Sequence, residues 1–326
     1  MKSILSREYG SPETLIYQNV EKPIPGDGQV LVKVHATSIN YSNLVLLRGK
    51  PFPARFAFGL LKPKYLIPGG DIAGVVEMVG KNVTQFQIGD EVYGDLSICG
   101  WGGFAEYVVV PEQAIAPKPS LLTFAEAAAV PMAAVTALQG IRDKGNVTAG
   151  QQVLIYGGSG GVGTFAVQLA KALGAEVTVV CSTSNIDIAK SIGADVVIDY
   201  KQEDFSQRQE RYDVIIGVNG HQPISIYKNS LKERGTFVLV GGSESQLFQM
   251  MIKGPWIGLK DKKTFVHFLQ RAKQEDLVFM KELIDEGKVK PVIDRLYHGL
   301  MNIPEALTYF EQGHAKGKVV ISVVGE

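Results

Sequence analysis

The first third of the chain carries short apolar runs broken by Gly and Pro: QVLVKVHATSI, DIAGVVEMVG, GDEVYG and FAEYVVVP. Apolar and polar positions alternate within them, as at Val30, Val32 and Val34, which is the period of a strand with one buried face. Residues 1–122 therefore read as a β-rich barrel or sandwich. From Thr123 the rhythm changes: FAEAAAVPMAAVTALQGI has the composition of helix, and six strand-like runs follow at helix-length intervals. These are QQVLIYG, AEVTVVCS, ADVVIDY, YDVIIGV, GTFVLVGG and TFVHFLQ. Strands alternating with helical connections predict a doubly wound parallel sheet over 123–270, and an α/β fold class for the chain. Residues 271–326 hold one amphipathic helix (DLVFMKELIDEG) and a return to strand patterns (KPVIDRLYHG, GKVVISVV). The C-terminus is thus expected to complete the first domain.

Composition narrows the function. With 326 residues the chain is long enough for two domains. Lys+Arg at 33 balance Asp+Glu at 33, so no field draws the protein to nucleic acid or to an anionic membrane. The opening segment MKSILSREYGSPETL has no apolar run of signal-peptide length, and a cytoplasmic protein is expected. Two cysteines, Cys99 and Cys181, exclude a disulfide framework and a four-cysteine zinc site. The lysines of LKDKK, 259–263, read as a solvated loop.

The most specific chemistry lies in VLIYGGSGGVGTFAVQLAKALGA. Gly158, Gly160 and Gly163 satisfy G-x-G-x-x-G directly after an apolar strand. The helix they open has the apolar face Val162, Phe165, Ala166, Leu169 and Ala170. In that context glycines let the backbone of Gly158, Ser159, Gly160, Gly161, Val162 and Gly163 approach a pyrophosphate, met by free N–H groups and the positive end of the helix. Which dinucleotide binds depends on the end of the second strand. There the chain reads Cys181-Ser182-Thr183-Ser184-Asn185, with no acid before Asp187. Donors at Ser182, Thr183 and Asn185 accept a 2′-phosphate without repelling it, which favours NADPH over NADH.

A β-rich N-terminal part with P-G-x-x-x-x-G-x-V-x-x-V-G, then GGFAEY, VPMAAVTAL, GGSGGVG, SIGADVVIDY and GHAKGKVVISV resembles the medium-chain dehydrogenase/reductase superfamily over essentially the whole chain. Within it the likeness is to the zinc-independent quinone-oxidoreductase branch. The resemblance implies a Rossmann-type sheet domain and a GroES-like barrel domain. Zinc alcohol dehydrogenases carry G-H-E where this chain has Gly69-Gly70-Asp71, and their other catalytic ligands fall at Asn40 and on or near Met132. Zinc catalysis needs three N, S or O ligands around an open position, so the resemblance implies an enzyme that works without zinc. The histidines, His35, His221, His267, His298 and His314, include no pair at ligand spacing. Asp71 reads either as a residual site acid or as a carboxylate bonded to backbone or a basic residue.

Without a Lewis acid, quinones and α,β-unsaturated carbonyls remain reducible, because the conjugated system spreads the developing charge and one or two donors suffice to hold the oxygen. The stretch SINYSNLVLLRG matches the family's N-P-x-D segment, with Tyr41 for Pro and Asn43 for Asp. Asn40 is expected either to donate to a substrate oxygen or to bond loop backbone. Tyr41 is either a proton donor or a packing aromatic. By matching, Thr136 lies near the nicotinamide and ribose, and Tyr200 near the 2′-phosphate or in the core. Gly241 and Gly242 would admit the nicotinamide end, and Lys318 would reach the cofactor from the tail, unless Lys316 and Lys318 are plain surface charges. Close relatives carry Arg at Ser184, so one phosphate partner is missing.

The expected activity is hydride transfer from NADPH to a hydrophobic quinone or enone. A zinc-free alcohol dehydrogenase-like enzyme, or an NADPH-binding protein with little turnover, are the alternatives. The apolar loops 47–65 and 243–263 suit a hydrophobic acceptor or an oligomer interface. TFVHFLQ is too apolar for a bare sheet edge. In the resembled family such a strand pairs with its symmetry mate, which implies a homodimer with Val266 and Phe268 near the axis.

Overall fold

The computed structural model describes residues 1–219, 222–242, 245–247, 249–250 and 262–324. They form two compact units, Met1–Val135 with Arg271–Glu286 and Pro291–Glu326, and Thr136–Gln270 with Gly287–Lys290. His221 and most of the loop 243–263 lie outside the described residues.

In the first unit, β1 (Lys2–Leu5) and β2 (Ile16–Asn19) make a small antiparallel ladder. The larger sheet is built on β3 (Gln29–Ile39), which pairs along its length with β4 (Asp71–Val79). Its other edge is shared. β6 (Tyr107–Pro111) takes residues 29–33 and the last strand of the chain takes residues 36–39. Register shifts at Leu31/Val32 and Val34/Ala36 bend β3 so that one strand can serve both neighbours. β5 (Glu91–Asp95) and β7 (Ile115–Pro117) extend the sheet beyond β4. The apolar residues Val30, Val32 and Val34 that set the alternation are buried with Ile72, Val76 and Val92. Leu31 and Ile39 are buried as well, so β3 is covered more fully than a one-faced strand.

The helix Phe124–Ala128 packs on β3 and β4 and thus belongs to the first unit, where the sequence rhythm placed a boundary after residue 122. Its inner positions, Ala127 and Ala128, are small enough for close approach to the sheet. The division falls instead inside the helix Pro131–Leu138.

The second unit contains β8 (Gln152–Tyr156), β9 (Glu176–Cys181), β10 (Val196–Asp199), β11 (Tyr212–Gly217), β12 (Leu231–Leu239) and β13 (Thr264–His267). All pair parallel, in the order β10-β9-β8-β11-β12-β13. This is the doubly wound arrangement expected from the strand–helix rhythm. The chain reverses its winding direction between β8 and β11, the crevice where such sheets bind ligands. Tyr227 stacks on Phe237 with ring centroids 4.4 Å apart in the core of this unit. TFVHFLQ is a strand only as far as His267. The Phe268 ring leaves the ladder and packs over Gly140, where an added Cβ would lie 3.7 Å from it. Phe268 is half-buried there.

The first unit is finished by the helix Gln274–Asp285, by β14 (Ile293–His298) and by β15 (Lys318–Ser322), which pairs antiparallel with β3. The C-terminus thus completes the barrel. Among the described residues no helix is long and apolar enough to cross a membrane.

Candidate functional site

The glycine loop connects β8 to the helix Gly161–Ala172, and its three motif glycines are distinguished by what surrounds them. A Cβ on Gly158 would lie 2.6 Å from Val179 Cγ1, and one on Gly163 2.2 Å from the Gly157 carbonyl oxygen. Both glycines permit tight packing of strand, loop and helix. Gly160 differs: nothing lies within 4 Å of a Cβ built there. Its open side is a cradle that a side chain would fill. The first helical bond runs from Thr164 N–H to the Gly160 oxygen, so the N–H groups of Gly161, Val162 and Gly163 precede the ladder and are free to meet an anion. The loop thus fits the pyrophosphate of a dinucleotide.

The other cofactor candidates of this unit collect at the carboxyl ends of the parallel strands. Asn185 donates from Nδ2 to Ser159 Oγ at 2.8 Å, which ties the end of β9 to the glycine loop. Ser182 and Ser184 share a hydroxyl contact at 3.3 Å. Tyr200, just past β10, is 52% exposed and is not a core residue. Gly241 and Gly242 follow β12; a Cβ on Gly241 would sit 2.5 Å from the Val218 oxygen. Thr136 is half-buried on the helix Pro131–Leu138.

One residue beside the end of β9 escaped the sequence reading. Thr183 Oγ1 donates to Asp199 Oδ2 at 2.5 Å, and Lys201 N–H donates to Asp199 Oδ1 at 3.0 Å. The Thr183 hydroxyl holds the Asp199 carboxyl below its ordinary range. An acid therefore does stand beside the second strand, supplied by its neighbour β10. Parallel pairing of Asp199 with Cys181 puts it there; the signal was the D of VVIDY.

In the first unit, a buried polar cluster occupies the ends of β3, β4 and β15. Asp71 opens β4 opposite Ser38 of β3 and is fully buried. Its Oδ2 accepts from Ser38 Oγ at 2.7 Å and from Asn40 Nδ2 at 2.7 Å, and its Oδ1 accepts from the Met132 backbone N–H at 2.9 Å. Lys318, 3% exposed, donates from Nζ to Asn40 Oδ1 at 2.5 Å and to the Ile39 oxygen at 3.3 Å, and lies 3.4 Å from Asp71 Oδ2. Burial pushes the Lys318 amine down from its usual range, and the Asp71 charge opposes that shift. Asp71 is thus a carboxylate bonded to backbone and to a basic residue. Lys318 is thus not a plain surface charge. Its ammonium turns into the barrel, because β15 is laid against β3 with Val319 opposite Ile39.

Asn40 stands just before the helix Tyr41–Arg48, where a side chain ordinarily caps the first turn. Here Asn43 Oδ1 reaches back to the Asn40 N–H at 2.7 Å and the Asn43 N–H donates to the Asn40 backbone oxygen at 3.0 Å, while the Asn40 amide bonds Asp71 and Lys318. Tyr41 is 69% exposed and its phenol is not packed into a core.

The positions that match zinc ligands do not form an N/S donor set. Asn40 Oδ1 is taken by an ammonium. A Cβ on Gly70 would lie 3.1 Å from the Met132 methyl and 3.3 Å from the Trp101 ring, so the space a ligand side chain needs is filled. The Met132 sulfur accepts the Ser42 hydroxyl at 3.1 Å. Burial raises the Cys99 thiol to about 12, away from the thiolate a metal requires. His35 packs on Phe124 with centroids 4.3 Å apart. Among the described residues no group of three or more His, Cys, Asp or Glu side chains is placed to hold a metal ion. Zinc does not fit this cluster.

Comparison with known proteins agrees with both units. Residues 26–120 match the family described as alcohol dehydrogenase GroES-like domain, and residues 192–321 match the one described as zinc-binding dehydrogenase. The chain is 35% identical to the chloroplast envelope quinone oxidoreductase homolog of Arabidopsis thaliana, over 96% of this chain and 95% of that protein. It is 32% identical to the NADPH-dependent alkenal/one oxidoreductase of the same plant, over 98% of this chain and 79% of that protein. The solved quinone oxidoreductase from Coxiella burnetii superposes with a TM-score of 0.85 at 30% identity, covering 99% of both chains.

Proposed function

The chain belongs to the quinone-oxidoreductase-like branch of the medium-chain dehydrogenase/reductase superfamily, and from that premise we propose that it is a zinc-free reductase that passes a hydride from NADPH to a quinone or an α,β-unsaturated carbonyl. The observation that carries this reading is the replacement of the metal-ligand positions by a closed polar cluster with its own cation, Lys318. Reduction of a simple ketone or oxidation of an alcohol calls for strong stabilisation of an alkoxide, the task a metal performs. A conjugated acceptor asks less, and an amide donor such as Asn40 is of the right strength. When bound, the dinucleotide supplies the hydride. The Gly158–Gly163 loop would hold its pyrophosphate, and Ser182, Thr183, Asn185 and Lys201 would stand at its adenosine end. NADPH is supported by the donors of that run and by Lys201; Asp199 opposes it, so a modest margin over NADH is expected. The wide exposure of Tyr41 suits delivery of the proton that follows hydride addition.

The test is loss of NADPH absorbance on adding quinones and enones of graded size, with and without a strong chelator. Turnover untouched by the chelator is expected. Activity that the chelator removes and zinc restores would overturn the reading, as would oxidation of alcohols with no reduction of any enone.

A further inference from the structure

From the buried cluster we infer that Lys318 is a positioning residue for the acceptor: its ammonium locks the Asn40 side-chain amide in one orientation and strengthens the remaining N–H as a donor. This inference rests on the proposed hydride transfer to a conjugated carbonyl.

The orientation follows from the donor and acceptor inventory. An ammonium only donates, so the Asn40 atom 2.5 Å from Lys318 Nζ is the oxygen. A carboxylate only accepts, so the atom 2.7 Å from Asp71 Oδ2 is the nitrogen. The two partners thus fix the amide against a flip, because exchanging oxygen and nitrogen would set donor against donor and acceptor against acceptor. One Nδ2 hydrogen goes to Asp71, which leaves the second for an oxygen outside the cluster.

Polarisation acts in the same direction. An amide whose oxygen is bound by a cation in a low-dielectric interior is a better donor through its nitrogen. Charge that develops on the acceptor oxygen during hydride addition would be met by that N–H. The cluster is closed in every other respect. Asp71 is held by Ser38, Asn40, the Met132 N–H and Lys318, and Lys318 Nζ takes the Ile39 oxygen as its third neighbour. Lys318 has almost no surface with which to reach a phosphate.

The test compares K318M, K318M/D71N, N40A and N40A/K318M in steady-state kinetics at saturating NADPH, with NADPH dissociation constants measured by fluorescence titration. K318M strands a buried carboxylate and is expected to lower the melting temperature; K318M/D71N removes both charges and should regain most of that loss. Both are expected to lose about 10- to 100-fold in kcat, less than the roughly 100- to 1,000-fold that removing an oxyanion donor costs, with NADPH affinity unchanged within about twofold. Because Lys318 acts through Asn40, N40A/K318M should be no slower than N40A. Three results would overturn the inference: full kcat in K318M/D71N, losses that multiply in N40A/K318M, or weakened NADPH binding with kcat intact. A wild-type protein that reduces no acceptor would sink the proposed function instead. The amide lock is then decided by the Asn40 side-chain N–H resonances, assigned by their loss in N40D. Slow exchange in the wild type that collapses in K318M/D71N supports the lock, and equal exchange in both refutes it.

Discussion

Gly160→Ala and Gly163→Ala place the same methyl group on one loop at two sites with opposite surroundings, and the cofactor assignment predicts opposite consequences. At Gly163 the new Cβ would stand 2.2 Å from the Gly157 oxygen and 2.8 Å from the Gly158 backbone. Real Cβ contacts essentially never fall under 3.0 Å, and the obstacle is backbone, so loop or helix must move by nearly 1 Å. Overpacking of that kind costs about 1–3 kcal/mol, which lowers the melting temperature by several degrees. At Gly160 nothing is within 4 Å, and the residue precedes the helix in extended geometry at φ −84° and ψ 179°. Alanine fits there; its poorer capping costs less than about 1 kcal/mol. The methyl would nevertheless stand where the pyrophosphate must approach. We therefore expect Gly160→Ala to melt close to the wild type yet bind NADPH about tenfold or more weakly, a loss of about 1.4 kcal/mol. Gly163→Ala should lose both stability and binding. Differential scanning fluorimetry and NADPH fluorescence titration on the same preparations make the comparison. Wild-type affinity in Gly160→Ala would refute the reasoning, since the open side of that glycine would then face no ligand.

Four further outcomes follow from the structure. Asp199→Asn removes the acid beside Thr183 and should shift preference toward NADPH by a factor of about 3–10 through lost repulsion of the 2′-phosphate; unchanged NADPH/NADH selectivity would place the adenosine elsewhere. Metal analysis of protein purified without added zinc should find far less than one zinc per chain, because Asn40, Gly70 and Met132 offer no tetrahedral site. His35 is lowered from its ordinary 6.5, first by burial. A depressed folded-state value means that its contribution is complete above about pH 6.5 and is lost as pH falls through the folded value. The urea midpoint should therefore drop on acidification with a component that His35→Gln removes. In the second unit, β13 pairs with β12 on one side, and the expected homodimer would use the other; Val266→Pro should weaken self-association seen by sedimentation while sparing NADPH binding.

The layered fold was legible because its signals are local. Six apolar runs at helix-length intervals become β8 to β13, and the glycine loop falls between β8 and its helix, where the pattern placed it. What the linear pattern hid is lateral. Asp199 lies 18 residues beyond Cys181, and only parallel pairing of β10 with β9 sets them side by side. The helix Phe124–Ala128 reads as the start of a new region, yet its small inner face fits it to β3 and β4. For Lys318, the linear motif left open whether the side chain is a surface charge or turns inward, and the structure buries it against Asn40 and Asp71. A strand alternates its faces residue by residue, and the register of β15 on β3 turns this lysine inward.

That register also explains why the chain returns to its first unit at the end. Ser38, Asn40 and Asp71 come from the early strands, and without β15 they would enclose a carboxylate with no cation in a space shut off from water. A buried charge left unpaired costs several kcal/mol. The last strand supplies both the missing edge of β3 and, at its first residue, the missing charge. Closing the barrel and neutralising Asp71 are therefore one event. The cation here is monovalent and built into the polypeptide. An ammonium held by Asn40 and Asp71 has no open coordination position for substrate. Under the proposed hydride transfer, its influence on a bound acceptor would pass through the amide it touches.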